Sequence, residues 1–271
     1  MKMLIWIFGI LAVIYIGLVL FIYGAQRKLL YFPPAVYLSP QDVNVAMEEW
    51  RDADGDVVAW WSPPATERHS VVMVFHGNGS AIYSNYDIFR DLIEVGHGVL
   101  SVGYPGYPGQ SGSPTQQGLV DAAKAQYEAL LARNITPDRI VFYGTSLGSG
   151  VAAQLSHSYE PALLFVDAPF NSTLDMAKMT MRFLPVGLLM KDTFRSDLAL
   201  QGKTFPLIWT HGTADKVVPL SQGQRLYDGY QGPKEAHIIK GGDHINLWAL
   251  GGREIVLRHL AVTAEGEGPR P

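Results

Sequence analysis

The chain contains no cysteine. That excludes a disulfide framework, a thiolate metal site and a cysteine nucleophile, and it leaves the redox compartment undetermined. Charge is also scarce, since 17% of the 271 residues are Asp, Glu, Lys or Arg and the formal net charge is −4. So mild a balance gives no basic footprint, and no nucleic-acid partner is expected. The eight histidines include no H-E-x-x-H run. With no thiolate to join them, neither a metal nor an organic cofactor is expected. No internal repeat is evident. The length fits one α/β domain with an attached segment.

Charge is missing altogether from Met3 to Gly24, a stretch dominated by Ile, Leu, Val, Phe and Trp. About 20 such residues cross a bilayer core, so residues 3–24 are expected to form a single-pass transmembrane anchor. A cleaved signal peptide is the competing reading. Its apolar core is normally about 7–15 residues and ends in a small-x-small site. This run is longer, and Tyr23-Gly24-Ala25 does not fit such a site. Lys2 on one side and Arg27-Lys28 on the other leave the orientation open. Leu29 to Pro34 reads as a short connector leaving the membrane, and the anchor is expected to carry no site residue.

Beyond it, residues 43–50 and 57–61 read as an antiparallel pair around the turn Asp52-Ala53-Asp54-Gly55-Asp56. The acidic spacing lacks the later glutamate of an EF-hand loop, so a polar turn is preferred to a calcium site. Apolar runs at 70–75, 99–102, 139–143, 162–166, 205–210 and 236–240 then alternate with helix-spaced segments. This rhythm predicts a mostly parallel sheet covered on both faces. Residues 171–200 break it. Their Met, Phe and Leu, interrupted by Pro185 and Gly187, predict a small helical cap over the site, with plain packing of a helical excursion as the alternative. Lys178, Arg182, Lys191 and Arg195 form two pairs at four-residue spacing, which would place each pair on one helix face. Thr263 to Pro271 reads as a frayed tail.

One junction carries the chemistry. The strand Arg139-Ile140-Val141-Phe142-Tyr143 runs into Gly144-Thr145-Ser146-Leu147-Gly148, and a helix follows. G-x-S-x-G between strand and helix is the pattern of a nucleophile elbow. The serine occupies a strained turn, and side chains two positions either way would collide with the neighbouring strand and helix. For such an elbow the acid and the base follow in that order. Asp215 and His244 each lie just past a predicted strand, where open α/β sheets place their sites. Asp167 also ends a strand and is the rival acid. His211 precedes Asp215, so chain order speaks against it as the base. His76 is expected to be structural and Asp243 to shape its loop. The glycine-rich turn His76-Gly77-Asn78-Gly79-Ser80 supplies backbone donors. The oxyanion hole is assigned to the N–H groups of Leu147 and Asn78, with Gly77 as the other candidate for the second.

The motifs at 76–78, 144–148, 211–215 and 244 together resemble the α/β-hydrolase superfamily. They are most similar to its membrane-anchored, serine-aminopeptidase-like abhydrolase-domain branch, which includes lysophospholipid lipases and protein depalmitoylases. The loop Gly103 to Pro114 resembles that branch too, with Gly103 and Pro105 where the family loop usually has Asp and Arg. The resemblance implies an α/β-hydrolase fold over residues 30–262 with catalytic Ser146, Asp215 and His244. It implies a membrane-anchored serine hydrolase that cleaves an ester, thioester or amide through an acyl-enzyme. A small-molecule or acylated substrate and a membrane lipid are the expected partners. The alternative is a non-catalytic membrane-bound scaffold or sensor that keeps the fold.

Overall fold

A computed structural model describes residues 1–264; most of the expected tail, 263–271, lies outside the described residues. The chain begins as one helix, α1 (Lys2–Leu30), with no buried residue. At 1.5 Å per residue it is about 43 Å long, more than a bilayer core of about 30 Å requires. It runs on through Leu29 and Leu30, where a connector was expected, because nothing in Gly24 to Leu30 breaks a helix.

The domain alternates strands and helices from β1 (Glu48–Arg51), β2 (Val57–Ser62) and β3 (Val71–Phe75) through α2 (Tyr86–Glu94), β4 (Gly98–Val102) and α3 (Gln116–Leu131). The expected first strand is shorter than 43–50, and pairing starts only at Glu48. The acidic turn is a backbone device, since Asp52 accepts from Asp54 N–H and Asp56 N–H, both at 3.0 Å. Then come β5 (Ile140–Thr145), α4 (Leu147–Ser156) and β6 (Leu163–Asp167). The excursion at 171–200 holds three short helices, α5 (Thr173–Thr180), α6 (Val186–Leu189) and α7 (Ser196–Ala199). β7 (Leu207–Gly212), α8 (Leu220–Gly229), β8 (Lys234–Ile239) and α9 (Arg253–Ala264) complete the order. The pairs of cap bases do not share helix faces. α5 ends at Thr180, before Arg182, and Lys191 and Arg195 lie outside α6 and α7.

The strands form one eight-stranded sheet in the order β1-β2-β4-β3-β5-β6-β7-β8. β1, β2 and β4 pair antiparallel, and β4, β3, β5, β6, β7 and β8 run parallel. The two-residue period of a strand divides the core. Val71, Met73 and Phe75 of β3, with Ile140 and Phe142 of β5, meet α3 and α4 on one face. Val72, Val74, Val141 and Tyr143 meet α2 and α9 on the other. Double-sided burial explains why these strands read as continuous apolar runs.

α4 lies close against the sheet. A Cβ on Gly148 would stand 1.9 Å from the carbonyl oxygen of Phe75 in β3, and one on Gly144 would stand 2.6 Å from that of Gly148. Neither neighbour is a side chain that can turn aside. Gly148→Ala is therefore expected to destabilise the domain by about 3 kcal/mol or more. A chemical-denaturation midpoint equal to that of the parent protein would contradict this packing.

Candidate active site

Ser146 links β5 to α4 with φ 51° and ψ −116°, a conformation that costs a non-glycine residue on the order of 1–3 kcal/mol. Local bonds hold it there. Its N–H donates to Asp167 O at 2.9 Å, and its carbonyl accepts from Ser149 N–H at 2.9 Å and Ser149 Oγ at 2.6 Å. The side chain is thereby left to project from the turn.

Leu147 is the first residue of α4, so its N–H has no partner within the helix. The turn at 76–80 passes beside it, and a Cβ on Gly77 would lie 3.6 Å from Ser146 Cβ. Among the described residues no acceptor is recorded for Asn78 N–H. The Asn78 side chain is fully engaged. Its Oδ1 accepts from Phe32 N–H at 2.9 Å and Tyr107 Oη at 3.0 Å, while Nδ2 donates to Leu30 O. These bonds tie the turn to the end of α1. His76 opens the same turn. Its ring is buried against Tyr104, with centroids 4.1 Å apart, and burial pushes its pKa down to about 4, so it is neutral near pH 7.

The structure brings Asp215 and His244 together. His244 Nδ1 lies 2.7 Å from Asp215 Oδ2, with side-chain exposures of 16% and 0%. The other oxygen, Asp215 Oδ1, accepts from Val217 N–H at 2.8 Å and Val218 N–H at 2.9 Å, which fixes the carboxylate. A carboxylate acceptor holds the proton on Nδ1 and leaves Nε2 free to accept. His211 is packed behind the pair, with Nε2 3.0 Å from Val218 O and 3.4 Å from Asp215 Oδ2. Burial lowers its pKa, which keeps it a neutral buttress. Asp243 Oδ1 accepts from Ile245 N–H at 2.9 Å and Asn246 N–H at 3.0 Å, shaping the loop that carries His244.

The rival acid has another environment. Asp167 accepts from Thr210 Oγ1 at 2.5 Å and Tyr143 Oη at 3.1 Å. Burial outweighs both hydroxyls and raises its pKa to about 6. Its recorded partners are hydroxyls, whereas the His244 ring nitrogen faces Asp215.

Ser146 stands where two cavities meet. One, of about 580 Å³, is shared with Gly77, Asn78, Asp167, His244 and Trp248. The other, of about 310 Å³, runs beneath the cap, with Ser146, Leu147 and Asn78 at one end and Met176, Met181, Leu184, Leu189 and Met190 along it. Its remaining wall is α1, through Val19, Ile22, Tyr23, Gln26, Leu29 and Leu30. The N-terminal helix, expected to carry no site residue, thus lines a cavity that reaches Ser146. The spacing of 19, 22, 23 and 26 is a helical stripe, but on a helix apolar all round it has no contrast to betray it.

No family model matches the chain. An uncharacterised Mycobacterium tuberculosis protein, Rv2307c, is 30% identical over 270 residues, 94% of this chain and 94% of its own. The lysophosphatidylserine lipase ABHD12 of Danio rerio is 27% identical over 219 residues, 71% of this chain and 57% of its own length. Among solved structures, an esterase of Pyrococcus furiosus matches with a TM-score of 0.67 at 18% identity, covering 88% of this chain and 97% of that one. The chain belongs to the α/β-hydrolase superfamily. The lipase relative supports a hydrolase, and the esterase structure shows the shared fold. This α/β-hydrolase also explains one departure in its own loop. A Cβ at Gly103 would stand 2.1 Å from Gln110 Nε2 and 2.8 Å from Val57 O, and Gln110 Nε2 donates to Val57 O at 3.0 Å. The Asp that usually begins that loop has no room here.

The two carboxylates should separate cleanly on substitution. Asp215→Asn is expected to lower kcat by about 10⁴, the cost of losing the group that orients a base histidine, whereas Asp167→Asn should retain most activity. An Asp167→Asn loss as deep as that of Asp215→Asn would reverse the assignment. Stability supplies a second readout. Because burial raises the folded-state pKa of Asp167 to about 6 from the ordinary 3.8, the native fold binds this proton more tightly than the unfolded chain. Its contribution to stability therefore grows as pH falls through 6 and levels off below about 4. Asp167→Asn should accordingly gain on the parent at pH 7.5, by about 2–3 kcal/mol at most, and the gain should vanish by pH 4. Paired denaturation curves across that range measure it.

Proposed function

We propose that this protein is a membrane-anchored serine hydrolase that cleaves an ester, thioester or amide of a lipidic or acylated substrate through an acyl-enzyme. The observation that carries the reading is the Asp215–His244 pair at 2.7 Å opening onto the cavity that also receives Ser146. His244 Nε2 takes the proton of Ser146 Oγ as that oxygen attacks the substrate carbonyl carbon. Negative charge passes to the carbonyl oxygen, which receives hydrogen bonds from Leu147 N–H and Asn78 N–H at the dipole-positive end of α4. His244 returns the proton to the leaving group, the tetrahedral intermediate collapses, and an acyl-Ser146 remains. Water, deprotonated by the same imidazole, releases the acid and regenerates Ser146. Asp215 holds the ring in register and stabilises the imidazolium in both halves.

A lipidic substrate is favoured by the apolar cavity at Ser146 and by a helix long and apolar enough to cross a membrane. A lysophosphatidylserine lipase among the relatives points the same way. In this reading residues 3–24 are the anchor, 30–262 the catalytic domain and 171–200 its cap.

Ser146→Ala should abolish both turnover and labelling by a fluorophosphonate, with an unchanged unfolding midpoint. A folded Ser146→Ala protein that still hydrolyses a panel of esters and thioesters at the parent rate would overturn the mechanism. A parent protein that no fluorophosphonate labels would instead favour a non-catalytic scaffold.

A further inference from the structure

We infer that α1 is part of the substrate site as well as a tether: together with the cap it forms the binding slot for a long acyl chain, and it sets the chain length accepted. The inference rests on the hydrolase reading and names which part of the substrate lies where.

Three observations converge. First, the apolar cavity begins at Ser146 and continues along one face of α1, past Val19, Ile22, Tyr23 and Gln26. The lining runs from Leu30 back to Val19, about 16 Å of helix. One end lies at the nucleophile and its walls are hydrocarbon, so the ligand it fits is an acyl chain whose carbonyl lies at Ser146.

Second, the cap is fastened to α1 by specific bonds. Gln26 donates to Leu189 O at 3.2 Å and accepts from Lys191 N–H at 2.7 Å. Arg27 Nε lies 2.9 Å from the buried carboxylate of Asp192, and Lys191 Nζ sits 4.2 Å above the Tyr23 ring. Asp192 O and Oδ1 in turn hold Thr173 Oγ1 at 2.8 Å and the first N–H of α3 at 3.2 Å. Helix, cap and domain are thus joined at one end of the slot, and the distance between α1 and the cap is fixed by chemistry rather than by chance contact.

Third, the far end lies at membrane depth. Tyr15 Oη donates to Phe183 O at 2.8 Å. Tyr15 is nine residues before Gly24, about 14 Å along the axis, close to half of a bilayer core of about 30 Å. With residues 3–24 across the bilayer, the cap reaches into one leaflet. Phe183 and Leu188, 90% and 88% exposed on the cap, then meet lipid instead of water. A chain enters the slot sideways from that leaflet without crossing the aqueous phase. The larger cavity on the His244 side is left for the leaving group.

The test uses the full-length protein in phospholipid nanodiscs, with p-nitrophenyl esters from two to sixteen carbons. Ile22→Trp places a large ring in the slot, whereas Phe21→Trp places one on the opposite, exposed face of α1. Ile22→Trp is expected to lower the ratio of long-chain to short-chain kcat/KM at least about tenfold, and Phe21→Trp to leave that ratio as it is. Equal ratios for the parent and Ile22→Trp, or equal losses in both variants, would overturn the inference. A readout without turnover keeps it separate from the mechanism. Ser146→Ala protein should bind a pyrene-labelled sixteen-carbon acid that palmitate displaces and butyrate does not, and Ile22→Trp on that background should weaken binding by a similar factor. Binding by the Ser146→Ala protein together with no hydrolysis by the parent protein would sink the mechanism and keep the slot. Hydrolysis with no chain-length response would do the reverse. Presenting the same chain as a lysophospholipid and as an S-acyl cysteine peptide then distinguishes its two sources.

Discussion

Everything at the site depends on how closely the backbone of α4 approaches the end of β3. With Gly148 against Phe75 O, a side chain at that position would need a gap the sheet does not have. The approach does three things at once. It bends the chain at Ser146 into a conformation with positive φ. It brings the start of α4, where Leu147 N–H has no partner within the helix, alongside the turn that leaves β3. It also sets Ser146 above the sheet edge, level with the loops after β7 and β8. On the proposed reading, a donor pair for an oxyanion and a projecting hydroxyl therefore come from one packing constraint, and the strain at Ser146 is held by hydrogen bonds to β6 and α4.

The two buried carboxylates show how environment assigns roles to identical groups. Asp215 has two backbone N–H donors on one oxygen and an imidazole on the other. Asp167 accepts from the hydroxyls of Thr210 and Tyr143, each of which can turn its proton away, and burial dominates. An acid that must stabilise an imidazolium through two half-reactions needs to stay ionised. Asp167 bears the signs of a structural group, its backbone carbonyl pinning Ser146 N–H and its side chain packed beneath the cavity.

Much of this was legible in the sequence, because parallel strands buried on both faces are written as continuous apolar runs. β3, β5, β6 and β7 lie within a residue or two of where those runs place them. The elbow was legible for a related reason, since Gly144 and Gly148 mark sites where backbone meets backbone. What stayed hidden is what depends on partners distant in the chain. α8 buries only Gln222, Gly223 and Leu226, so its inner face carries one large apolar side chain. β1 is short because Val45 and Met47 are buried without pairing in the sheet. The Asn78 side chain, held by Leu30, Phe32 and Tyr107, is an unremarkable polar residue of a turn until the end of α1 arrives. Gln26 was the one overlooked clue. Near the end of an apolar helix, an amide that satisfies both Leu189 O and Lys191 N–H is the polar contact that a cap needs in order to register against it.

On the proposed reading, a slot walled by a membrane helix also changes the energetics of binding. An acyl chain that enters from water gains roughly 0.8 kcal/mol per buried methylene, so an aqueous enzyme of this fold draws affinity from chain length. A chain that enters from a bilayer leaves surroundings already as apolar as Val19, Ile22 and Met176, and that gain nearly disappears. What remains is shape. A chain that fills the slot aligns its carbonyl with Ser146 and the two N–H donors, while one too short or too bulky reaches the same elbow badly aligned. Chain length then acts on the alignment of the reacting atoms more than on occupancy, and binding interactions remote from the carbonyl are spent on the transition state. The cap fastenings at Gln26, Arg27 and Tyr15 are what keep that slot narrow enough for shape to matter.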